Sequence, residues 1–314
     1  MKISLLIPVC NYDIVALVHS MKGAIGKVPE LCEILIGDDV SSKEFLEKYR
    51  SLEGDGVRII SSKKNIGRAA MRNKLALEAK GDYLLFIDAD TMLTGTAEAF
   101  LQKYIAEMGD AQVICGGIKY IDSPPGDPDK LLRWRYGKWR EERKAVERNK
   151  HPYSDFSTFN LLIAKSVFSK IRFYEELKQY GHEDTLLSFQ LKVAGINILH
   201  IDNNLIHEGL ESNREYLGKV KQSLENLSML CDRATDKITF CTILTTLRHY
   251  RILKIFRLTV ILAAIFIKYR EKMERKLERG KGSNWLFVFY RMCMFCTFRE
   301  IHQRKKSSGN ILIL

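Results

Sequence analysis

Residues 83–91, YLLFIDADT, run an apolar segment straight into Asp88 and Asp90 with Ala89 between them. Two carboxylates that close repel each other, and each is costly to desolvate. A divalent cation removes both costs. Simple exposure at a strand end removes them too, so the tripeptide by itself leaves both readings open. A second acidic pair, Asp38-Asp39, follows the apolar run CEILIG (32–37), and a third, Glu183-Asp184, opens the helical pattern GHEDTLLSFQLKVAG (181–195). Acids in a first helical turn complement the helix dipole. A carboxylate so placed can also take a proton from a hydroxyl that attacks a carbon centre. In KKNIGRAAMRNKLALEAKGD (63–82), Asn65 and Gly67 form a turn, and Arg68 and Arg72 follow one helical turn apart. A helix N-terminus already favours phosphate, and these cations add to it.

The elements that must hold these groups have a clear period. ISLLIPV (3–9), CEILIG (32–37), VRIISS (57–62) and DYLLFID (82–88) are continuous apolar runs, the pattern of strands buried on both faces. Helical patterns at about 13–26, 42–52 and 67–80 separate them. Alternating strands and helices predict an α/β, doubly wound sheet, whose ligands bind beyond the carboxyl ends of the strands. Asn11, Asp38, Asp39, Asp88 and Asp90 all fall at those ends.

Several nucleotide sites are excluded. No GxGxxG follows the first strand and no GxxxxGK[ST] occurs, which removes a Rossmann dinucleotide site and a P-loop. A dehalogenase-like phosphatase would carry DxDx[TV] after its first strand, whereas Thr91 comes one place too early and the strand is not the first. Two alternatives stay open: a non-catalytic membrane-associated scaffold, and a sugar-phosphate nucleotidyltransferase, although the latter normally carries a Gly-rich basic loop after the first strand and CNYDIVALV offers none.

The charge is unevenly spread. The net charge of +12 sits entirely in residues 230–314, where 18 Lys and Arg face 6 Asp and Glu, and residues 1–229 are neutral. That predicts two parts: a catalytic domain over 1–229 and a basic, amphipathic, helical region over 230–314. Neutrality of the first part argues against a nucleic-acid partner. The aromatic and basic stretch RWRYGKWREERKAVERNK (133–150) is read as a mobile loop closing over donor and acceptor, with an amphipathic surface helix as the other reading. In the tail, the longest uncharged run is 258–267, short of the ~20 residues a span requires. Apolar stretches edged by Lys and Arg instead predict association with an anionic membrane surface. The N-terminal MKISLLIPVC lacks the length and cleavage site of a signal peptide. With seven scattered cysteines it predicts a cytoplasmic protein with reduced thiols, peripheral on the inner face of the cell membrane.

Taken together, SLLIPVCN, EILIGDDVSSK, NIGRAAMRNKLALEAKGDYLLFIDAD and YGHEDTLL resemble a family 2 glycosyltransferase with the GT-A fold, over roughly residues 1–210. The resemblance implies an inverting transfer from a nucleoside-diphosphate sugar to an acceptor hydroxyl on a glycan or lipid-linked glycan. It places Pro8, Asn11 and Asp39 in the nucleoside pocket and makes Asp88-Ala89-Asp90 the DXD motif for Mg²⁺ or Mn²⁺. The full candidate donor set is Pro8, Asn11, Asp38, Asp39, Asn65, Gly67, Arg72, Asp88, Ala89 and Asp90, with Asp88, Asp90 and His207 as candidate metal ligands. By the same resemblance Asp184 is the general base and Glu183 orients the acceptor. His207, after the strand read over 196–207, would complete the metal or phosphate site. The sequence departs from the usual DDGS at Val40, which stands where glycine is expected. The QxxRW of processive synthases is absent, which predicts a single transfer.

Overall fold

A computed structural model describes residues 1–177, 180–233 and 236–307. The described residues divide into two compact units. The first holds residues 1–122, 140–177 and 186–209, and the second holds 123–139, 180–185, 210–233 and 236–307. The 229/230 boundary expected from charge falls within the helix Asn213–Arg233.

In the first unit the four apolar runs form β1 (Ile3–Val9), β2 (Leu31–Asp38), β3 (Val57–Ser61) and β4 (Tyr83–Ile87). They are linked by α1 (Val15–Lys22), α2 (Lys43–Arg50) and α3 (Gly67–Glu78). The chain continues through β5 (Thr91–Met92), α4 (Ala97–Ile105), β6 (Val113–Cys115), β7 (Ile118–Lys119), α5 (Leu131–Arg140), α6 (Ala145–Arg148), β8 (Asn160–Ala164) and α7 (Lys165–Phe168). Next come α8 (Glu183–Val193), β9 (Leu199–His200) and β10 (Leu205–His207).

The main sheet runs β3-β2-β1-β4-β8-β6-β9. β1 is parallel to both β2 and β4, whereas β8 is antiparallel to β4 and β6, so the sheet is mixed. Ile3, Leu5, Leu6, Ile34, Leu35, Leu84, Leu85 and Phe86 are fully buried, as expected for strands covered on both faces. A smaller sheet, β5-β10-β7, joins the segment after β4 to the segment that ends the unit.

One sequence-based expectation changes and one open alternative is decided. Residues 196–207 are not one strand. The chain turns at Asp202–Asn204, leaving β9 in the main sheet and β10 in the small one. Buried amides hold that turn: Asn203 Nδ2 donates to Phe100 O at 2.9 Å, and Asn160 Nδ2 donates to Asn203 O at 2.8 Å. Residues 133–150, open to a mobile loop or an amphipathic surface helix, take the helical alternative in α5 and α6. Leu132 and Tyr136, four apart, are buried on one face of α5, and Tyr136 packs edge-on against Phe287 at 4.8 Å. A buried apolar stripe at that spacing fixes a helix in place.

The turn also carries a titration. His200 is buried, with Nδ1 facing Arg148 Nη1 at 2.9 Å and Nε2 facing Pro152 O at 2.9 Å. The neutral tautomer with Nε2–H satisfies both contacts. Burial pulls the imidazole down to about 4, and Arg148 pulls the same way. An unfolded histidine titrates near ~6.5. The unfolded state therefore binds the extra proton between those two values, and stability falls as pH drops through that window. From pH 7 to pH 5 the His200 contribution is expected to decrease by about 2 kcal/mol. His182, pulled down to about 3 by burial, adds a loss of similar size, so urea unfolding at the two pH values should show both, and His200→Gln should remove about half of the combined slope.

In the second unit α9 (Asn213–Arg233), α10 (Lys237–Ile243), α11 (Thr245–Ile255), α12 (Thr259–Glu278) and α13 (Asn284–Ser307) pack with α5 around Phe240, Leu277, Phe287, Tyr290 and Phe295. No helix among the described residues is long and apolar enough to cross a membrane. All seven cysteines are free. Cys293 and Cys296 are buried on α13, and burial pushes their thiols up to about 11 and about 12, which disfavours a thiolate role.

Candidate active site

The carboxyl ends of β1, β2 and β4 open into one cavity of about 160 Å³, lined by residues that include Pro8, Cys10, Tyr12, Asp39, Arg68, Arg72, Asp88, Ala89 and Asp90. Strand ends place them there, because β1 lies between β2 and β4 and all three run in the same direction. The carboxylates then diverge in role.

Asp39 is fixed by backbone. Its two oxygens accept the N–H groups of Ile66 and Gly67, each at 2.8 Å, at the start of α3. Gly67 holds φ +82°, a conformation glycine adopts freely, and this turns its N–H towards the carboxylate. Asn65 adds a bond from Nδ2 to Asp39 O at 3.3 Å. Asp38 and Asn11 are not in the lining. Asp38 accepts Ser41 N at 2.9 Å and Asn11 Oδ1 accepts Ser42 N at 2.7 Å, so both build the turn after β2. Within that turn Val40 adopts φ +64°, the left-handed conformation for which glycine is the usual residue. A β-branched side chain is strained there. Val40 is exposed, so little packing offsets the strain. Val40→Gly is expected to raise stability by about 1 kcal/mol, read as a higher thermal midpoint.

Asp88 is held by Arg72, whose Nη2 lies 2.6 Å from Oδ1. The Arg72 side chain is 2% exposed and lies over the Phe173 ring at 5.3 Å. A buried guanidinium so placed fixes the orientation of Asp88. Arg68, exposed in the first turn of α3, also lines the cavity.

Asp90 has a different partner. The antiparallel pairing of β10 with β5 sets His207 opposite Thr91 and brings its Nε2 within 3.5 Å of Asp90 Oδ2. The imidazole is stacked between Tyr120 (5.5 Å) and Phe159 (5.4 Å), which fixes its plane. Just beyond, Glu208 N donates to Asp90 O at 2.9 Å. A Cβ at Gly209 would lie 2.4 Å from Asp90 Oδ2, so only glycine allows the backbone to close over this carboxylate. Burial raises the Asp90 carboxyl above the usual range; His207 lowers it and Asp88 raises it. A carboxylate destabilised by burial gains from a cation. Among the described residues no group of three or more His, Cys, Asp and Glu is placed to hold a metal ion. Asp90 and His207 form a two-ligand corner that fits a cation completing its shell with substrate oxygens and water.

Glu183 and Asp184 belong to the second unit, half-buried in the first turn of α8. Gly181 (φ +98°) and His182 (φ +72°) precede them, and His182 Nδ1 meets Thr185 Oγ1 at 3.0 Å.

The model of the family described as "Glycosyl transferase family 2" matches residues 4–172, more than half of the chain. The chain belongs to glycosyl transferase family 2. This glycosyltransferase is 22% identical over 214 residues to an uncharacterized glycosyltransferase of Methanocaldococcus jannaschii, covering 66% of this chain and 70% of that protein. Its fold is similar to that of a mannosyltransferase of Pyrobaculum calidifontis in complex with GDP-Man and Mn²⁺, with TM-score 0.59, 12% identity, and coverage of 97% and 87% of the two chains. It is also similar to Staphylococcus aureus TarS in complex with UDP-GlcNAc, with TM-score 0.51, 17% identity, and coverage of 97% and 92%. A third similar structure is glucosyl-3-phosphoglycerate synthase of Mycobacterium tuberculosis in complex with Mn²⁺, UDP and phosphoglyceric acid, with TM-score 0.51, 16% identity, and coverage of 74% and 78%. The architecture is therefore GT-A, as the sequence motifs implied.

Sequence reasoning missed several parts of this glycosyltransferase's site. Tyr12 and Cys10 follow β1 and line the cavity, and Tyr120, Phe159 and Gly209 shape the His207–Asp90 corner. The aromatic residues carry no local signal, because each reaches His207 through strand pairing. Gly209, two residues after His207, was legible as a glycine beside a candidate ligand.

Proposed function

We propose that this enzyme transfers one sugar, with inversion, from a nucleoside-diphosphate sugar to an acceptor hydroxyl in a metal-dependent reaction. The observation that carries the reading is the single cavity on which Asp39, Arg68, Asp88 and Asp90 converge, with His207 set on Asp90. In this reading Asp39, oriented by two backbone N–H groups, accepts hydrogen bonds from the base, while Asn11 and Asp38 support it through the turn they brace. Arg68 faces the diphosphate. Arg72 holds Asp88 so that the acidic rim keeps its shape around Ala89.

Asp90 and His207 are the residues that would hold Mg²⁺ or Mn²⁺, with Asp88 close behind. When bound, the cation neutralises the diphosphate so that it can leave. Asp184 removes the acceptor proton as the hydroxyl attacks, and Glu183 orients that hydroxyl. The similar structures in complex with Mn²⁺ and with nucleotides or nucleotide sugars support the choice of donor class. The acceptor is a glycan, plausible in lipid-linked form because the second unit is basic and partly apolar on its surface, and the enzyme works peripherally at the cytoplasmic face of the membrane.

Calorimetric titration with UDP, GDP and dTDP, each with and without Mn²⁺, tests the reading. Metal-dependent binding of one nucleotide is expected. Metal-dependent hydrolysis of its sugar conjugates then identifies the donor. Failure of every nucleotide to bind with metal overturns the proposal.

A further inference from the structure

The corner between α11 and α12 is the most exposed apolar feature of the second unit. Five consecutive residues, 254–258, are exposed, and Ile255 and Phe256 are 76% and 69% exposed. Leu258 completes the tip, and Arg257 turns the chain through φ +57°. The apolar surface continues along the first turns of α12, where Val260 and Ile267 face outward. A soluble surface rarely leaves contiguous large apolar side chains uncovered without a use for them.

The surrounding charge identifies the occupant. From 237 to 270 the chain has seven Lys and Arg and no Asp or Glu. Arg251, Lys254 and Arg257 are exposed around the tip. A second copy of this chain would set these cations against their own kind, which disfavours self-association. An anionic leaflet satisfies both features, taking the apolar tip into its interface while its headgroups pair with the cations. No helix among the described residues can span a bilayer, so the contact is shallow.

We infer that the α11–α12 corner is a membrane wedge: Ile255, Phe256 and Leu258 insert into the headgroup region of an anionic leaflet, and Arg251, Lys254 and Arg257 bind its phosphates. This rests on the reading of the enzyme as working at a membrane, and it names the element responsible. The wedge holds the second unit at the surface where a lipid-linked acceptor would lie.

The test is sedimentation of the full chain with vesicles of phosphatidylglycerol and phosphatidylcholine, compared with phosphatidylcholine alone. Wild-type protein is expected to partition to the anionic vesicles. Phe256→Glu should lower that partition at least tenfold, and the triple variant R251Q/K254Q/R257Q should abolish the preference for anionic lipid. Both changes lie on exposed positions, so thermal midpoint and UDP–Mn²⁺ binding should match wild type. If Phe256→Glu sediments like wild type, the wedge assignment is overturned and the membrane reading survives. Should wild type sediment with neither vesicle, both are overturned, while nucleotide binding still reports on the transferase reading. Lipid-free self-association that Phe256→Glu abolishes would assign the corner to a second copy and overturn the wedge.

Discussion

Asp90→Ala is expected to reduce sugar transfer by about 10³-fold, with the fold intact. The carboxylate sits where the backbone of Gly209 closes over it and His207 approaches to 3.5 Å, so the corner is built around this side chain. Loss of a metal-held diphosphate removes several kcal/mol of transition-state stabilisation, and ~4 kcal/mol is roughly 10³-fold in rate. Stability should move the other way. Burial raises the Asp90 carboxyl above its usual range, so its ionised form costs the folded state. Asp90→Asn keeps the shape and removes the charge, and should hold or slightly raise the thermal midpoint at neutral pH. Activity loss without stability loss separates a ligand from a structural residue. Transfer by Asp90→Asn within tenfold of wild type, at saturating Mn²⁺, would refute the metal assignment.

Asp184→Asn is expected to lower kcat by roughly 10²- to 10⁴-fold, the usual contribution of a general base, while nucleotide and Mn²⁺ titrations stay unchanged. The amide keeps the size of the side chain and its place in the first turn of α8, but it cannot accept the acceptor's proton. The loss should appear in kcat rather than in donor KM, because the residues proposed for the donor lie in the first unit and are untouched. Glu183→Gln should act differently, raising the acceptor KM more than it lowers kcat. Transfer by Asp184→Asn at the wild-type rate would remove the base assignment and leave the donor site standing.

Much of the architecture was legible because it is local. The run 3–9 is β1 itself, and 32–37, 57–62 and 82–88 match β2–β4 to within one residue at either end. A strand buried on both faces must be apolar throughout, and that is visible in any short window. Carboxylates just past such strands could be assigned to the rim for the same reason. The reading failed where length misled it. Residues 196–207 have the composition of a strand, yet Asn203 is drawn into a buried amide network and the chain changes sheets. Residues 133–150 left a loop and an amphipathic helix equally open, and the burial of Leu132 and Tyr136 decides for the helix α5.

Local pattern carried the family resemblance, the first four strands with the helices between them, and the acids at the strand ends, since each depends on neighbours a few residues apart. How those acids differ emerges from long-range packing: Asp39 rests on the backbone of Ile66 and Gly67, Asp88 on Arg72, and Asp90 on His207. It also decided that Val40 takes the glycine-like conformation of its turn. These partners come from different elements. A side chain's charge and reach are set by what non-local strand pairing and helix packing bring against it, and no local period records that.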